Sequence, residues 1–268
     1  IGYQALTSNT TGQRNTAIGK DALDTNTTGS YNTALGTYSL QANTTADSNT
    51  GLGYAALYLN TTGTANVAVG KDALDSNTTG SNNTAVGADA LQANTTGSAG
   101  VAIGAYALRV NTTGVNNTAV GMNALEDNTT TNNNTAIGFG VLKENTANQN
   151  TGCGSQALIA NTTGANNSAF GMNALVTNTT GNYNTAVGHD TLDNNTTASD
   201  NTAVGYNALT ANTTGTQNCS FGRGALESNT TADNNSAFGY YALAANTTGY
   251  SNTAVSYTHL TLPTKRIV

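Results

Sequence analysis

Two histidines and two cysteines make up the imidazole and thiol chemistry of this chain, and their spacing assembles no reactive group. His189 stands in a variable position of a repeating pattern that elsewhere holds Tyr206, Lys20 and Met122, so it reads as a solvated surface residue. Cys153 falls in an apolar column and Cys219 in a threonine column of different repeats, which reads as two small core residues, not a disulfide. Asp21, Asp72 and Asp190 share one column, so neighbouring repeats could bracket a cation. Most repeats lack a second carboxylate at a fixed offset, and the glycine- and aspartate-rich calcium pattern is absent, so these residues read as a solvated face. A hydrolase or lyase cleft needs clustered carboxylates or basic groups, and the pattern offers none. The expectation is a protein that is not an enzyme, with no catalytic residue, no cofactor and no metal.

Two periodic sets of side chains could bind, if not react. Tyr3, Tyr54, Tyr206 and Tyr240 occupy the first variable column after an invariant glycine, with Tyr38, Tyr106 and Tyr241 in the next. Tyrosine offers a rigid apolar body with a polar tip, which suits glycan or protein surfaces. Tyr54, Tyr206 and Tyr240 are therefore the candidate contacts to a host-cell surface glycan or protein. The second set is Thr10, Thr27, Thr44 and Thr61, one per repeat, a regular array that resembles those of ice-binding solenoids. Such arrays place Thr-x-Thr on one flat strand face, whereas adjacent threonines in an Asn-Thr-Thr run point to opposite sides. The same runs form glycosylation sequons at Asn9, Asn26 and Asn77, which the repeat itself generates.

These residues are positioned by a 17-residue unit, close to NTA(V/I)GxxALxxNTTGxx, that recurs about fifteen times between Ile1 and Val255. A period this short and this strict marks a solenoid with one coil per repeat. The framework columns are leucine (Leu23, Leu209), asparagine (Asn26, Asn212), glycine (Gly19, Gly205), alanine (Ala17, Ala203) and an apolar residue before the glycine (Ile18, Val204). Charge is confined to the variable columns. One interval is short, because Asn145 to Asn161 spans sixteen residues. The loss falls within Asn145, Thr146 and Ala147, and implies a corner that tolerates it.

NTAVG predicts a short strand whose second and fourth residues share a side. Replacement of the second-position Thr by Val67, Val101 and Cys219 implies that this column is at least partly buried. The unbroken line of small residues between them, Ala with only Gly51, Gly152 and Ser220 as exceptions, implies close packing, and the glycine that follows allows a corner with positive φ. The Ala-Leu segment reads as either a short strand or one helical turn, since five residues do not separate the two periods. The asparagine three residues after Leu predicts a hydrogen-bonded ladder to the backbone of neighbouring coils. Each coil supplies only one Leu and one Val-sized residue as bulky apolar groups, so burial of a further face against identical chains, most simply in a homotrimer, is expected to supplement the core. The fold class is therefore all-β, a β-solenoid or β-roll of about fifteen 17-residue coils in a homotrimeric fibre; coils stacked at about 4.8 Å would extend roughly 70 Å.

The NTAVG and NSAFG units resemble the repeats of YadA-like trimeric autotransporter heads, which form a left-handed β-roll. The full unit, as in NTAVGYNALTANTTG from Asn201 to Gly215, is also similar to repeats of phage tail fibres and tail-fibre-like bacterial surface proteins. The unit is longer than the YadA-like one and carries an added NTTG, which leaves handedness and strands per coil open. The resemblance implies an elongated, trimeric attachment protein, the shaft or head of a surface adhesin or tail fibre, outside the cell or on a virion tail. The repeat array covers 1–255. Residues 256–268, SYTHLTLPTKRIV, share nothing with it and resemble translated sequencing-adapter read-through, so they are set aside as non-native. Without that tail the formal charge moves from −6 to −8, because two basic residues leave. A pI near 4.5 and the lack of any basic stripe disfavour nucleic acid, and no run approaches the roughly 20 apolar residues of a membrane helix.

Overall fold

The computed structural model describes residues 1–256, so all but the first residue of the anomalous C-terminal segment lies outside the described residues. The chain divides into two compact units, 1–146 and 147 onward. The division falls at Thr146 and Ala147, in the corner shortened by one residue. Every coil contributes one three-residue strand. The first unit holds β1 (Thr16–Ile18), β2 (Thr33–Leu35), β3 (Thr50–Leu52), β4 (Val67–Val69), β5 (Thr84–Val86), β6 (Val101–Ile103), β7 (Thr118–Val120) and β8 (Thr135–Ile137). The second holds β9 (Thr151–Cys153), β10 (Ser168–Phe170), β11 (Thr185–Val187), β12 (Thr202–Val204), β13 (Cys219–Phe221), β14 (Ser236–Phe238) and β15 (Thr253–Val255). Within each unit consecutive strands pair in parallel and in register, like residue on like, as in Thr84↔Val101, Ala85↔Ala102 and Val86↔Ile103. The protein is an all-β parallel solenoid, as the 17-residue period predicts.

Each strand from β1 to β14 ends at a glycine with positive φ, 136° at Gly70, where an added Cβ would lie 2.5 Å from the carbonyl oxygen of Gly87 on the next coil. Neither the dihedral nor the space admits a side chain. The following Ala-Leu arm is neither strand nor helix, and the described residues contain no helix. Asp21 and Leu23 both take φ of 53°, whereas Ala22 between them does not have positive φ. A helix needs consecutive right-handed residues and a strand needs consecutive extended ones, so this alternation excludes both. The arm instead hydrogen-bonds coil to coil: the Leu23 N–H donates to the Ser39 carbonyl at 3.0 Å, and the Asp21 N–H donates back to Tyr3 at 2.8 Å. A third left-handed residue, such as Tyr31 at 61°, precedes the strand asparagine. None of these three columns contains Val, Ile or Thr in any coil, which follows from the strain of a β-branched side chain at positive φ.

The interior is narrow. Leu23, Leu57, Leu108 and Leu209 are fully buried, together with the strand alanines Ala34 and Ala203 and the arm alanines Ala22 and Ala208. The apolar column before the glycine does not join them. Ile18 is 39% exposed and Val204 is half-buried, because the central Ala of the strand takes the inward side and strand alternation sends its neighbours outward. Cys153 and Cys219 flank that alanine position too, so both are half-buried free thiols on the outward side instead of core residues. The column with the valine substitutions is also on the outward side, yet it is half-buried in most coils, as its substitutions imply; Val67 is 37% exposed.

Asparagine fills the remaining interior, in two ladders. In the predicted one, Asn60 Nδ2 donates to Asn43 Oδ1 at 3.1 Å and to the carbonyl of Gly63 in its own coil at 2.9 Å. Asn26 and Asn212 take the same part; Asn212 Nδ2 reaches Asn195 Oδ1 at 3.0 Å and the Gly215 carbonyl at 2.9 Å. Contacts between coils thus run side chain to side chain, and the backbone bond is local. The second ladder uses the Asn of NTAVG. The Asn49 N–H donates to Asn32 Oδ1 at 2.9 Å, and Asn49 Nδ2 donates to the Gly63 carbonyl, also at 2.9 Å. The Gly63 carbonyl is therefore held by two amides, from Asn60 and Asn49, and the arrangement recurs at most corners.

Two departures from the repeat lead to stability predictions. Ser39 replaces the arm alanine, its Oγ donates to the Gly51 carbonyl at 2.9 Å, and a Cβ on Gly51 would lie 2.4 Å from that Oγ. Gly51→Ala should therefore cost about 1–3 kcal/mol, and adding Ser39→Ala should recover most of it, giving a coupling energy readable by urea denaturation of the two single variants and the double. Gly100 interrupts the second ladder; its N–H still donates to Asn83 Oδ1 at 2.9 Å, but it has no amide to offer the Gly114 carbonyl. Gly100→Asn restores the residue used by the other coils and should raise stability by about 1 kcal/mol in the same measurement.

Candidate functional site

The outward side of each strand presents two side chains, a Thr or its replacement and the apolar residue before the glycine. In-register pairing aligns both into columns within each unit. In the first unit Ile18, Leu35, Leu52, Ile103 and Ile137 are each about two-fifths exposed, with Val69, Val86 and Val120 half-buried between them. In the second unit Phe170, Val187, Phe221 and Phe238 continue the pattern, and the rings of Phe221 and Phe238 stack at 5.5 Å with planes 7° apart. A bulky apolar residue at nearly every coil, with Cys153 in that place in β9, makes an exposed stripe in each unit, not scattered apolar surface. The Asn-Thr-Thr array is different: Thr27 Oγ1 donates to the Thr44 carbonyl at 3.1 Å and Thr61 Oγ1 to Thr78 at 3.0 Å, so these hydroxyls bond along the stack.

Several titratable residues pair locally. The carboxylate of Asp21 lies 3.7 Å from Lys20 Nζ, that of Asp72 pairs with Lys71, and that of Asp190 lies 2.8 Å from His189 Nδ1. His189 is half-buried beside Tyr206, with ring centroids 5.6 Å apart, and so is less exposed than its column suggested. Glu126 sits between Arg109 at 2.8 Å and Lys143 at 3.6 Å. Among the described residues no three His, Cys, Asp or Glu side chains gather into a metal-binding group, and no helix is long and apolar enough to cross a membrane.

The tyrosines divide by what covers their rings. Tyr206 and Tyr240 flank Arg223, whose guanidinium carbon lies 5.3 Å and 5.9 Å from their centroids. Arg14 over Tyr31 and Arg109 over Tyr106 repeat the arrangement at 5.3 Å and 5.6 Å. Tyr54 belongs to a different group. Tyr38 stands edge-on to Tyr54 at 5.8 Å and 80°, and to Tyr58 at 6.1 Å and 71°. With Ala55, Asp72 and Asp75 the three rings line an open cleft of about 410 Å³. Sequence reading picked out Tyr54 but not Tyr58, Asp72 or Asp75 as its companions; their offsets of 4, 18 and 21 residues become neighbours only once the coil is closed and stacked.

Burial, and then the like charges of Asp72 and Asp89, hold the Asp75 carboxyl above the ordinary carboxylate range. Asp193 in the second unit is raised by burial and by Asp190. An acid whose pKa is raised by folding favours the fold when protonated, and that contribution is lost as pH rises through the folded-state value. Asp75→Asn should therefore stabilise the protein at pH 7, by less than about 1 kcal/mol because the group is partly solvated. The gain should fade below about pH 3, where the native carboxyl is protonated in both states; thermal melts at the two pH values check this. Comparison with protein-family models, curated proteins and solved structures gave no match.

Proposed function

We propose that this chain is the shaft or head of a homotrimeric attachment fibre, displayed on a cell surface or a virion tail. The observation that carries the reading is the outward apolar stripe. A single chain leaves it in water, whereas three copies around a common axis can each turn the same stripe inward and close the assembly. Completing the burial of a side chain like Ile103 contributes roughly 1 kcal/mol, and the contribution recurs at every coil. The number three comes from the resemblance to YadA-like heads and tail fibres. The role is structural and not catalytic: variable columns on the remaining faces are left to meet a surface glycan or protein.

A second reading has its own support in the same stripe. Its Thr column beside Val and Ile, as at Thr84 with Val86 and Thr118 with Val120, is a regular hydroxyl and methyl surface of the kind an ice-binding solenoid presents. The two readings exclude each other in use, because a face buried between copies cannot meet ice.

Light scattering should give the mass of three chains, and Ile103→Asp with Ile137→Asp should reduce it to one by placing carboxylates in the shared interface. Thr62→Asp, on an exposed corner, should leave the trimer intact. A native monomer would overturn the fibre reading, and thermal hysteresis from that monomer, abolished by the same double variant, would establish the ice-binding one.

A further inference from the structure

The geometry points to the Tyr38, Tyr54, Tyr58, Asp72 and Asp75 cleft as a binding site for an alkylammonium group. This gives the attachment reading a ligand chemistry, but the site lies within one chain and does not need the trimer.

Three features select the ligand. The first is the disposition of the rings. Tyr38 is nearly perpendicular to both neighbours, at 80° and 71°, so the tyrosines form walls and not the flat platform on which the broad face of a sugar stacks. The negative face of an exposed aromatic ring attracts a compact cation. The second is charge. Asp72 and Asp89 both act on Asp75, and the two lysines at the cleft are engaged by carboxylates of their own, Lys71 by Asp72 and Lys20, on the Tyr38 ring, by Asp21. A cation entering the cleft meets net negative charge and relieves the repulsion at Asp75. The third is the use of tyrosine elsewhere on the surface. Arg14, Arg109 and Arg223 each lie over a tyrosine ring, and Lys20 Nζ lies 5.3 Å from the Tyr38 centroid while donating to its hydroxyl at 3.2 Å. Tyrosine rings on this surface thus accept cations repeatedly. Tyr54, 51% exposed, opens onto a cleft of about 410 Å³, large enough for a small ligand.

A quaternary ammonium fits better than an inorganic cation, since the walls offer apolar contact to methyl groups and the site lacks a convergent set of oxygens. The same chemistry occurs in a phosphocholine headgroup and in a methylated lysine of a partner protein.

The test is a choline chloride titration at constant ionic strength, followed by NMR of protein labelled in the tyrosine rings. Saturable shifts in the millimolar range are expected, with 3,3-dimethyl-1-butanol, the neutral carbon isostere, binding at least tenfold more weakly. Tyr54→Leu and Asp75→Asn should each weaken choline binding about fivefold or more, while Tyr206→Leu, whose ring is covered by Arg223, should leave it unchanged. Equal binding of the isostere, shifts that do not saturate, or full affinity in both cleft variants would overturn the assignment. Parallel titrations with phosphocholine and Nε-trimethyl-lysine identify the source of the cation, as the tighter of the two. Because the readout is indifferent to assembly state, loss of the site leaves the trimer standing, and a monomer that binds choline leaves the site standing.

Discussion

Each coil of this protein satisfies much of its backbone, and part of each buried amide, through the coils stacked on it. The Thr84 N–H needs the Gly100 carbonyl, the Leu74 N–H needs that of Ala90, and Asn77 needs Asn60. A residue is acceptable in such a stack when it can lie against its own copy one turn away. Asparagine meets that condition better than other polar residues because its amide carries donor and acceptor together, so a column of identical side chains pairs with itself. A buried carboxylate column would repel itself, and a buried lysine column would lack acceptors. Glycine at the corner is demanded more strictly still, because the space for a Cβ is taken by the next glycine carbonyl.

The same constraint sets the width of the coil, and the width decides where the apolar residues go. With one leucine, two alanines and two asparagine amides, the interior is full. The strand turns its alanine inward, and Ile18, Ile103 and Phe221 are displaced to the outside, where they line up because register is exact to the residue. An apolar stripe is thus a by-product of a narrow, amide-filled core. It is also the feature that makes self-association, or contact with an ordered surface, physically reasonable for a chain with so little chemistry elsewhere.

Freedom remains only in the columns that point away from the stack. There part of the charge is held in local pairs, such as His189 with Asp190 and Glu126 with Arg109, and several tyrosine rings lie under the chain's own cations. Binding capacity on such a scaffold arises where that self-pairing lapses. An arginine from an adjacent coil covers Tyr206 and Tyr240, whereas aspartates border Tyr54 and Tyr58.

The period, the strands at NTAVG, the buried leucine and one asparagine ladder were legible in the sequence, because strict recurrence of a residue type needs a partner of the same type one turn away. The corner that lost a residue was legible too, and it is where the chain divides. Only the tertiary structure decided which side of a three-residue strand is inward, since Thr-Ala-Val alternates equally well either way, and that choice moved Ile18 and Val204 from core to surface. It also decided that the Ala-Leu arm is neither helix nor strand. The absence of β-branched residues from the three left-handed columns carried that signal, although propensity scales assume one hand per element and pass over it. The tyrosine cleft was beyond reach of the linear pattern for a simpler reason: which variable residues meet depends on closure of the coil, and their types follow no period.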